Sequence, residues 1–549
     1  MVGIPRAQRV RSALTKSMNE NERIKKEQDG LDVLENISRY AKTGFSSIDP
    51  DDFLRMRWYG LYQQKPNEGH FMLRIKVPGG VLTSDQLRTV AGVTRDFARG
   101  ITDITTRQNF QFHWLTVEDL PDILERFDRV GISTAGACGD IFRNVTGCPV
   151  AGIDPTEVFD ARPWVNQING FFLTNKDYSD LPRKFKTAIS GCTQHCAQPE
   201  INDIGATGVT RKRLDGSVEH GFQVRVGGGL SARPFFAKPL DMFVPPDQLL
   251  SVFESVVGIF RDNGNRENRK KARLKFLVDE WGIERFEEEV RGRLSWSPDK
   301  GEDWPQPRRA FRDHIGVHAQ RQEGLYWVGA TVLSGRLTDE QVEEAARIAD
   351  QFGQGVVRTT NQQNLLFSDI AQANVDAVRR ALTDAGLDTD PSPIRRAAVA
   401  CTGNEFCNLA LTETKKLIVE IVEHLEKTVS IDEPIRINLN GCPNSCGQHH
   451  IGNIGLQGCL VKQGGGVSVE GYDVSLGGRL GADSKFVRAI WRKVPATDVK
   501  VALENLLNGY VEKRDEEDDF SDFVDRHSDA ELAALMKTTF AEGVTPAGA

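Results

Sequence analysis

The hydrophobic pattern of the chain alternates between two periodicities. Short runs such as Phe71–Val77 and Gln223–Val226 alternate apolar and polar residues, which is typical of β-strands. Stretches such as Ser84–Ala98 place apolar residues at the spacing of one helix face. Because the two kinds of segment alternate along the chain, we predict an α+β fold in which helices cover the sheets.

The same pattern occurs twice. LTSDQ at Leu82–Gln86 returns as LTDEQ at Leu337–Gln341, an offset of 255 residues. A second register, at an offset of 250, matches Gly191, Cys192 and Cys196 to Gly441, Cys442 and Cys446. A period this long excludes a solenoid or a propeller. We therefore predict duplication of an αβ half-molecule, with a cleft for a cofactor between the two halves.

Composition narrows the class of protein. The 549 residues are 39% hydrophobic and 27% charged, which excludes a collagen-like or wholly disordered chain. A net charge of −8 argues against a general nucleic-acid binder. No apolar run approaches the ~18 residues that cross a bilayer, so we expect no membrane span. Four of the nine cysteines fall within 401–446, which predicts a metal site in a reducing, cytoplasmic compartment.

The N-terminus is basic. Residues 1–18 carry Arg6, Arg9, Arg11 and Lys16 and no acidic residue. We interpret this segment as a mobile arm, with an organelle transit peptide, and hence a plastid location, as the alternative.

The cysteine quartet is the strongest chemical signal. Cys401 and Cys407 bound CTGNEFC, and Cys442 and Cys446 bound CPNSC. Four thiolates in two local pairs can bind zinc or an iron–sulfur cluster. The five residues inside the first pair exceed the usual zinc-ribbon spacing, which favours a cluster over zinc without excluding zinc. The Gly, Pro and Asn residues of these loops expose backbone N–H groups that can bond to cluster sulfurs.

A second signal is a set of cations. Lys184 and Lys186 are separated by one residue, so they project to the same face of a strand. Their mutual repulsion indicates an anion between them, whereas the alternative is a solvated pair on the surface. Arg107, in TTRQN, and Arg143, in FRNVTG, are further candidates. A third basic stretch, Arg266–Lys275, could neutralise a polycarboxylate ligand or dock an acidic partner, unless it is an exposed helix face.

Six motifs together resemble one known family. In their order along the chain they are RWYGLYQQ, TTRQN, RNVTGCP, LPRKFK, ACTGNEFC and NGCPNSCG. This combination is similar to that of the ferredoxin-dependent assimilatory sulfite and nitrite reductases, which carry a sirohaem and a 4Fe-4S cluster. The resemblance runs from about residue 30 nearly to the end. It implies the family's duplicated pseudo-twofold fold, with three domains around a central cofactor cleft.

The resemblance also implies a domain division. Residues 53–125 and 315–388 would form a pseudo-twofold pair of ferredoxin-like half-domains. Residues 126–314 would form a first domain for sirohaem and substrate, and residues 389–549 a second domain for sirohaem and the cluster. Residues 1–52 would be an N-terminal arm, and the chain a monomer.

Individual roles follow from the same resemblance. The ligands of one 4Fe-4S cluster would be Cys401, Cys407, Cys442 and Cys446. Cys446 would also bridge to the sirohaem iron. The cage that holds the substrate anion would be Arg107, Arg143, Lys184 and Lys186. Arg273 and Lys275 would face the carboxylates of the macrocycle.

The implied reaction is a six-electron reduction of a small oxyanion. Electrons would come from ferredoxin, since GGG at Gly227–Gly229 lacks the spacing of a dinucleotide site and no flavin or nicotinamide domain is recognisable. CTGNEFC and VTGCPVAG are closer to the nitrite-reducing forms. Lys186 stands where sulfite reductases carry Lys and the plant and cyanobacterial nitrite reductases carry Asn. An extra cation suits sulfite, which approaches a dianion. We predict sulfite reduction to sulfide, with nitrite reduction to ammonium as the alternative.

Two further questions remain at this point. A non-enzymatic metal-binding module with four cysteine ligands would explain the cysteine quartet but not the cationic cage. The other cysteines could bind a second cluster. However, nine residues separate the upstream pair, Cys138 and Cys148, instead of the five between Cys401 and Cys407, and duplication alone explains the repeated CxxxC. We therefore expect Cys138, Cys148, Cys192 and Cys196 to be inert, and Cys459 to be structural.

Overall fold

The computed structural model describes residues 19–64, 67–462, 467–537 and 544–547. The basic segment 1–18, with the transit-peptide alternative, lies outside these residues. The α-helices are Glu20–Glu27, Leu34–Thr43, Asp52–Arg55, Ser84–Phe97, Leu120–Arg129, Arg162–Phe172, Leu249–Asn263, Leu274–Trp281, Ile283–Arg293, Asp339–Phe352, Val375–Asp384, Lys415–Thr428, Ala496–Lys513, Phe520–Arg526 and Asp529–Leu535.

The strands form four sheets and are numbered here along the chain. They are β1 Leu61–Gln63, β2 Phe71–Arg74, β3 Val81–Thr83, β4 Ile101–Ile104, β5 Phe110–Leu115, β6 Phe142–Gly147, β7 Phe185–Ser190, β8 Ile204–Lys212, β9 Val218–Val226, β10 Lys238–Pro239, β11 Gly316–Ala319, β12 Leu325–Ala330, β13 Arg336–Thr338, β14 Val356–Thr359, β15 Leu365–Ala371, β16 Ala398–Ala400, β17 Ile437–Asn440, β18 Ile454–Lys462, β19 Ser468–Leu476, β20 Arg488–Pro495 and β21 Thr545–Pro546.

The predicted strand 71–77 is shorter in the structure because the chain changes partners. Ile75 donates its N–H to Phe110, but Lys76 donates to Ser133. The run predicted at 223–226 is the buried end of the longer β9, whose first residues, Val218–His220, are partly or fully exposed. The predicted helix 84–98 is confirmed as Ser84–Phe97.

Two of the sheets exchange strands. Their orders are β1-β2-β5-β4-β13 and β11-β12-β15-β14-β3. The last strand of each comes from the other half of the sequence, since β13 pairs with β4 and β3 pairs with β14. Residues Thr83 and Thr338, which close these edge strands, each cap the following helix through a capping box. The repeats LTSDQ and LTDEQ thus mark the point where each half enters the other.

The other two sheets share one topology. β6, β7 and β8 are parallel, and β9 and β10 continue the sheet antiparallel. β16, β17 and β18 are likewise parallel, followed by antiparallel β19, β20 and β21. We call these the first and second cofactor sheets. In parallel neighbours the carboxyl ends meet at one edge, so the loops after β6 and β7, and those after β16 and β17, lie together.

The residues of the predicted N-terminal arm that the structure describes are helical and packed. Ile24, Leu31, Ile37 and Tyr40 are buried in the same core as the exchanged half-domains. Each cofactor sheet has its own core against its helices. Within the described ranges, no helix has the length and apolar character needed to cross a membrane.

The close packing at the exchanged strands makes Gly80 important for stability. Gly80 has φ +75°, and a Cβ there would lie 2.5 Å from the carbonyl oxygen of Thr359 on β14, the strand with which the exchanged strand β3 pairs. Gly131 has a similar φ of +71° but open space around it. Gly131→Ala should therefore cost only the roughly 1–2 kcal/mol of a left-handed residue.

We expect Gly80→Ala to lower the thermal unfolding temperature clearly more than the matched Gly131→Ala, because it adds a backbone clash to the same strain. Differential scanning calorimetry measures both. Equal decreases in unfolding temperature for the two variants would mean that the close approach of Gly80 to Thr359 does not hold the halves together.

Candidate active site

The cysteine quartet gathers at the carboxyl edge of the second cofactor sheet. Cys401 directly follows β16, and Cys442 and Cys446 lie in the loop after β17. The Gly441 N–H donates to the Cys401 sulfur at 3.2 Å. Cys446 interacts electrostatically with each of Cys401, Cys407 and Cys442. The structure therefore brings the two local pairs together, as the spacing predicts.

The thiols are poised for a metal and not for free thiolate chemistry. Burial first, and then Cys446, raises the pKa of Cys401 to about 12. Burial is also the main cause that raises the pKa of Cys407 and of Cys442. Bound iron ions would instead favour the thiolate form, because a coordinated thiol loses its proton outright.

The quartet loop has a structural twin in the first cofactor sheet. Ser445 and Gln448 have φ of 56° and 63°, and their equivalents His195 and Gln198 have 57° and 58°. Gln198 and Gln448 face each other, and the amide nitrogen of each donates to the amide oxygen of the other at 3.0 and 2.6 Å. Two equivalent residues that touch mark the pseudo-twofold axis, and Cys446 lies beside it.

A cation-lined cavity opens next to Cys446. Six cationic side chains line it against the single carboxylate of Asp103, and the cations are Arg74, Arg107, Arg143, Lys184, Lys186 and Lys415. A smaller lobe, which shares Arg107, Lys186 and Cys446, extends to the axis glutamines. The cavity thus joins the exposed sulfur of the quartet to a concentration of positive charge.

Arg107 and Arg143 are positioned by neutral partners. Arg107 donates to Asn202 Oδ1 at 2.7 Å and to the carbonyl of Thr187 at 3.0 Å. Arg143 donates to the carbonyls of Ala137 and Gly139. Carbonyls orient a guanidinium without cancelling its charge. Burial, followed by Arg143, lowers the pKa of Arg107 to about 9.

Lys184 and Lys186 both line the cavity, so the alternative of a solvated surface pair is wrong. Lys186 lies in β7 and Lys184 directly precedes it. Burial and then Arg273 lower the pKa of Lys184 to about 7. Burial and then Lys184 hold the pKa of Lys186 well below its ordinary value. A bound anion would relieve this repulsion and favour the charged lysines.

Arg273 and Lys275 are not among the residues that line the cavity. Arg273 donates to both carboxylate oxygens of buried Asp203, at 3.0 and 2.7 Å. The Lys275 ammonium donates to the carbonyls of Gly229, Leu230 and Arg233. These two cations therefore lie outside the cavity lining, and both already have hydrogen-bond partners.

Sequence reasoning missed three cations of the site, one of which is Lys415, a residue that lines the cavity. Arg74 lines the cavity, and Lys76 lies beside it, where burial and then Arg143 lower the Lys76 pKa to about 7. They stand one residue apart in the run 71–77, which is the same spacing that singles out Lys184 and Lys186. The signal was therefore present, but an alternating apolar strand hid it.

Comparisons with known proteins agree with this geometry. The family model described as the nitrite and sulphite reductase 4Fe-4S domain matches residues 138–298 and 393–539. The model described as the nitrite/sulfite reductase ferredoxin-like half domain matches residues 62–130 and 318–385. The chain belongs to the nitrite and sulfite reductase family, and it is an oxidoreductase.

Individual relatives have been given both kinds of name. The chain is 38% identical to the ferredoxin–nitrite reductase of Synechococcus elongatus, over 90% of this chain and 97% of that one. It is also 38% identical to a sulfite reductase [ferredoxin] of Mycobacterium tuberculosis, over 94% and 96%. The solved structure of the Mycobacterium tuberculosis NirA protein superposes with a TM-score of 0.89 at 38% identity, over 94% of this chain and 97% of that one.

The family's cofactors are a sirohaem and a 4Fe-4S cluster, and the site fits both. Arg74 Nε, Arg107 Nε and Asn144 Oδ1 are buried and without a partner among the described residues. The two unpaired guanidinium N–H donors, among surplus cations, suit a macrocycle rich in carboxylates. Four thiols with N–H donors around them suit the cluster.

Removal of a quartet thiol should remove the cluster. In Cys401→Ser we expect the iron content to fall from about five atoms per chain to about one or none, and acid-labile sulfide to be lost. Cys459→Ser is the control, since Cys459 lies in β18 outside the quartet. Colorimetric iron and sulfide assays decide. Full cluster content in Cys401→Ser would remove Cys401 from the ligand set.

The cage should also give stability a pH dependence. Between pH of about 7 and about 10 the unfolded chain keeps a proton on Lys184 that the folded chain has lost, so stability rises with pH in this window. We expect Lys184→Met to flatten the rise in unfolding temperature of the cofactor-free chain. Lys300→Met, at a side chain 82% exposed, should leave it unchanged. An unaltered slope in Lys184→Met would contradict the burial of this charge.

Proposed function

We propose that this chain reduces sulfite to sulfide with six electrons taken one at a time from ferredoxin. The proposed preference for sulfite over nitrite rests on Lys186. It lines both lobes of the cavity beside Cys446, with Lys184 and Arg107 close by. A cage with this much unpaired positive charge suits an anion that approaches two negative charges better than one that carries a single charge.

The chain's own residues would hold and protonate the substrate. Arg107 and Arg143, whose guanidinium groups are oriented by neutral partners, would fix the anion's oxygens. Lys184, with a pKa lowered to about 7, is poised to release a proton as oxygen leaves as water. When bound, sirohaem and the 4Fe-4S cluster supply the electron transfer.

The proposal extends to the remaining roles. Cys401, Cys407, Cys442 and Cys446 are the proposed cluster ligands, and Cys446 the proposed link to sirohaem. Arg74 joins the proposed cage. Arg273 and Lys275, which do not line the cavity, would act on the macrocycle only through their charge. The domain division 53–125 with 315–388, 126–314 and 389–549 is kept as proposed.

Several observations support a cytoplasmic monomer that uses ferredoxin. The relatives are named for ferredoxin. All nine cysteines are free thiols, which suits a reducing compartment. The duplication already supplies both sides of the cofactor cleft within one chain. Steady-state assays with reduced ferredoxin against reduced nicotinamide nucleotides test the donor.

Nitrite reduction to ammonium is the second candidate. CTGNEFC and VTGCPVAG favour it, and the relative from Synechococcus elongatus is named a nitrite reductase. Steady-state kinetics of the holoenzyme with both anions separates the two. We expect the larger kcat/KM with sulfite, and a clearly larger value with nitrite would overturn the sulfite proposal.

Lys186→Asn tests the proposed reason for that choice. Loss of the extra cation should lower kcat/KM for sulfite about tenfold or more relative to that for nitrite, since one lost charge contact is worth about 1.4 kcal/mol or more. Lys212→Asn, at the exposed end of the adjacent β8, is the matched control. An unchanged ratio of the two kcat/KM values would mean that Lys186 does not act on the substrate.

A further inference from the structure

A second buried group of metal-ligand side chains lies in the first cofactor sheet. Cys148 follows β6, Cys192 and Cys196 follow β7, and His314 precedes β11. The sulfur atoms of Cys148 and Cys196 and a ring nitrogen of His314 all lie within 4.8 Å of one another. The three thiols hydrogen-bond to one another. Each of the four side chains belongs to a residue no more than 6% exposed.

His314 has no partner inside this group. Both of its ring nitrogens are buried and make no hydrogen bond with any described residue. A buried polar group without a partner costs free energy and is rare in native proteins. The backbone at His314 is also held at φ 62°, in the left-handed region. The ring is therefore held among the thiols at a cost that a bound ligand would offset.

The group occupies the pseudo-twofold equivalent of the cluster site. Cys192 and Cys196 correspond to Cys442 and Cys446 at the offset of 250. The Gly147 N–H, just before Cys148, donates to Gln108 Oε1 at 2.8 Å. The Ala400 N–H, just before Cys401, donates to Gln363 Oε1 at 3.1 Å.

Since Gln108 and Gln363 are equivalent, Cys148 is the structural counterpart of Cys401. The sequence comparison, which paired Cys138 with Cys148 as the upstream pair, was wrong on this point. Cys138 lies elsewhere and accepts a hydrogen bond from Arg74. His314 completes the group in place of a fourth cysteine.

We propose that Cys148, Cys192, Cys196 and His314 bind one structural zinc ion. Three thiolates and an imidazole are a common ligand set of closed tetrahedral zinc sites. Bonds of about 2.3 Å to sulfur and 2.0–2.1 Å to nitrogen place ligand atoms roughly 3.4–3.8 Å apart, so a small contraction suffices for Cys148, Cys196 and His314. Cys192 lies outside this compact group and would move inward to become the fourth ligand.

The compactness of the group argues against a second cluster. Ligands of a four-iron cluster bind separate corners and stand further apart. In the described part of the chain, the quartet sulfurs form no group as compact as this one. A single ion therefore fits Cys148, Cys196 and His314 better than a cluster does.

The surrounding charge suits this ion. Three thiolates and Zn²⁺ carry a net charge of −1. Arg358 is 2% exposed and interacts with Cys148, and its hydrogen bonds go to the carbonyls of Pro149 and Ala151. Arg312 interacts with Cys196. Buried Arg358 would gain a negative neighbour when the site fills.

The ion would join parts of the chain that are distant in sequence. His314 immediately precedes the second half-domain, whereas the cysteines belong to the first cofactor sheet. Zinc would therefore fasten the connection from the first cofactor domain to the exchanged half-domains. It has no open coordination position and no place in the proposed reaction.

Metal analysis of the purified holoenzyme, expressed with zinc and iron supplied, tests the proposal. We expect about one zinc per chain by inductively coupled plasma mass spectrometry, beside the iron of the cofactors. Zinc-edge X-ray absorption, which is blind to iron, should give about three sulfur ligands near 2.3 Å and one nitrogen near 2.0–2.1 Å. In Cys148→Ser and His314→Gln the zinc content should fall at least tenfold with iron unchanged. The control Cys459→Ser should keep both metals.

Several results would overturn the proposal. One is no zinc in the wild-type chain, even after incubation with zinc alone. Another is additional iron and sulfide in place of zinc, which would indicate a second cluster. A third is a disulfide among the three cysteines, seen as two missing thiols in the denatured protein. The wild-type metal count and absorption spectrum decide the matter even if a variant does not fold.

Discussion

Two equivalent glutamine side chains hold the molecule together at its centre. The Gln108 amide donates to the carbonyl of Thr359 in the opposite half-domain, and the Gln363 amide donates to that of Ile104. The oxygen of each amide accepts a backbone N–H at the end of a cofactor sheet, from Gly147 and from Ala400. Each glutamine thus fastens three parts of the chain. Both have a left-handed backbone, which only the surrounding contacts hold in place.

We call the contacts of Gln108 and Gln363 the brace, and the candidate active site depends on it. The brace fixes the edges of the two cofactor sheets against each other, so Cys446 faces cations that come from β2, β6 and β7. Arg107 follows β4, in the turn that also contains Gln108, so the brace and the cage share one segment. The cavity carries far more positive than negative charge, and burial lowers the pKa of Lys184 and Lys76 to about 7. A fold can hold such a concentration of like charge when anionic ligands occupy it.

The duplication also explains how one scaffold could hold the two different metal sites proposed above. The same loop conformation follows β7 and β17, and the same glutamine contact precedes Cys148 and Cys401. Around Cys401 the proposed cluster ligands are spread over two loops of one sheet, which leaves space for a cluster. Around Cys148 the fourth residue is His314, from outside the sheet, and the group is compact. A change in one ligand and its spacing is enough to change the kind of metal that the site suits.

The sequence by itself determined the duplication, the α+β class, the cysteine quartet and the paired lysines, because each is a pattern of local spacing or exact repetition. It did not reveal the strand exchange, since both the exchanged and the unexchanged arrangement bury the same apolar positions. Only the tertiary structure joined His314 to Cys148 and Cys196, and it alone showed that Arg273 is already neutralised by Asp203. Contacts between residues far apart in the chain depend on how the sheets pack, and no local spacing encodes that packing.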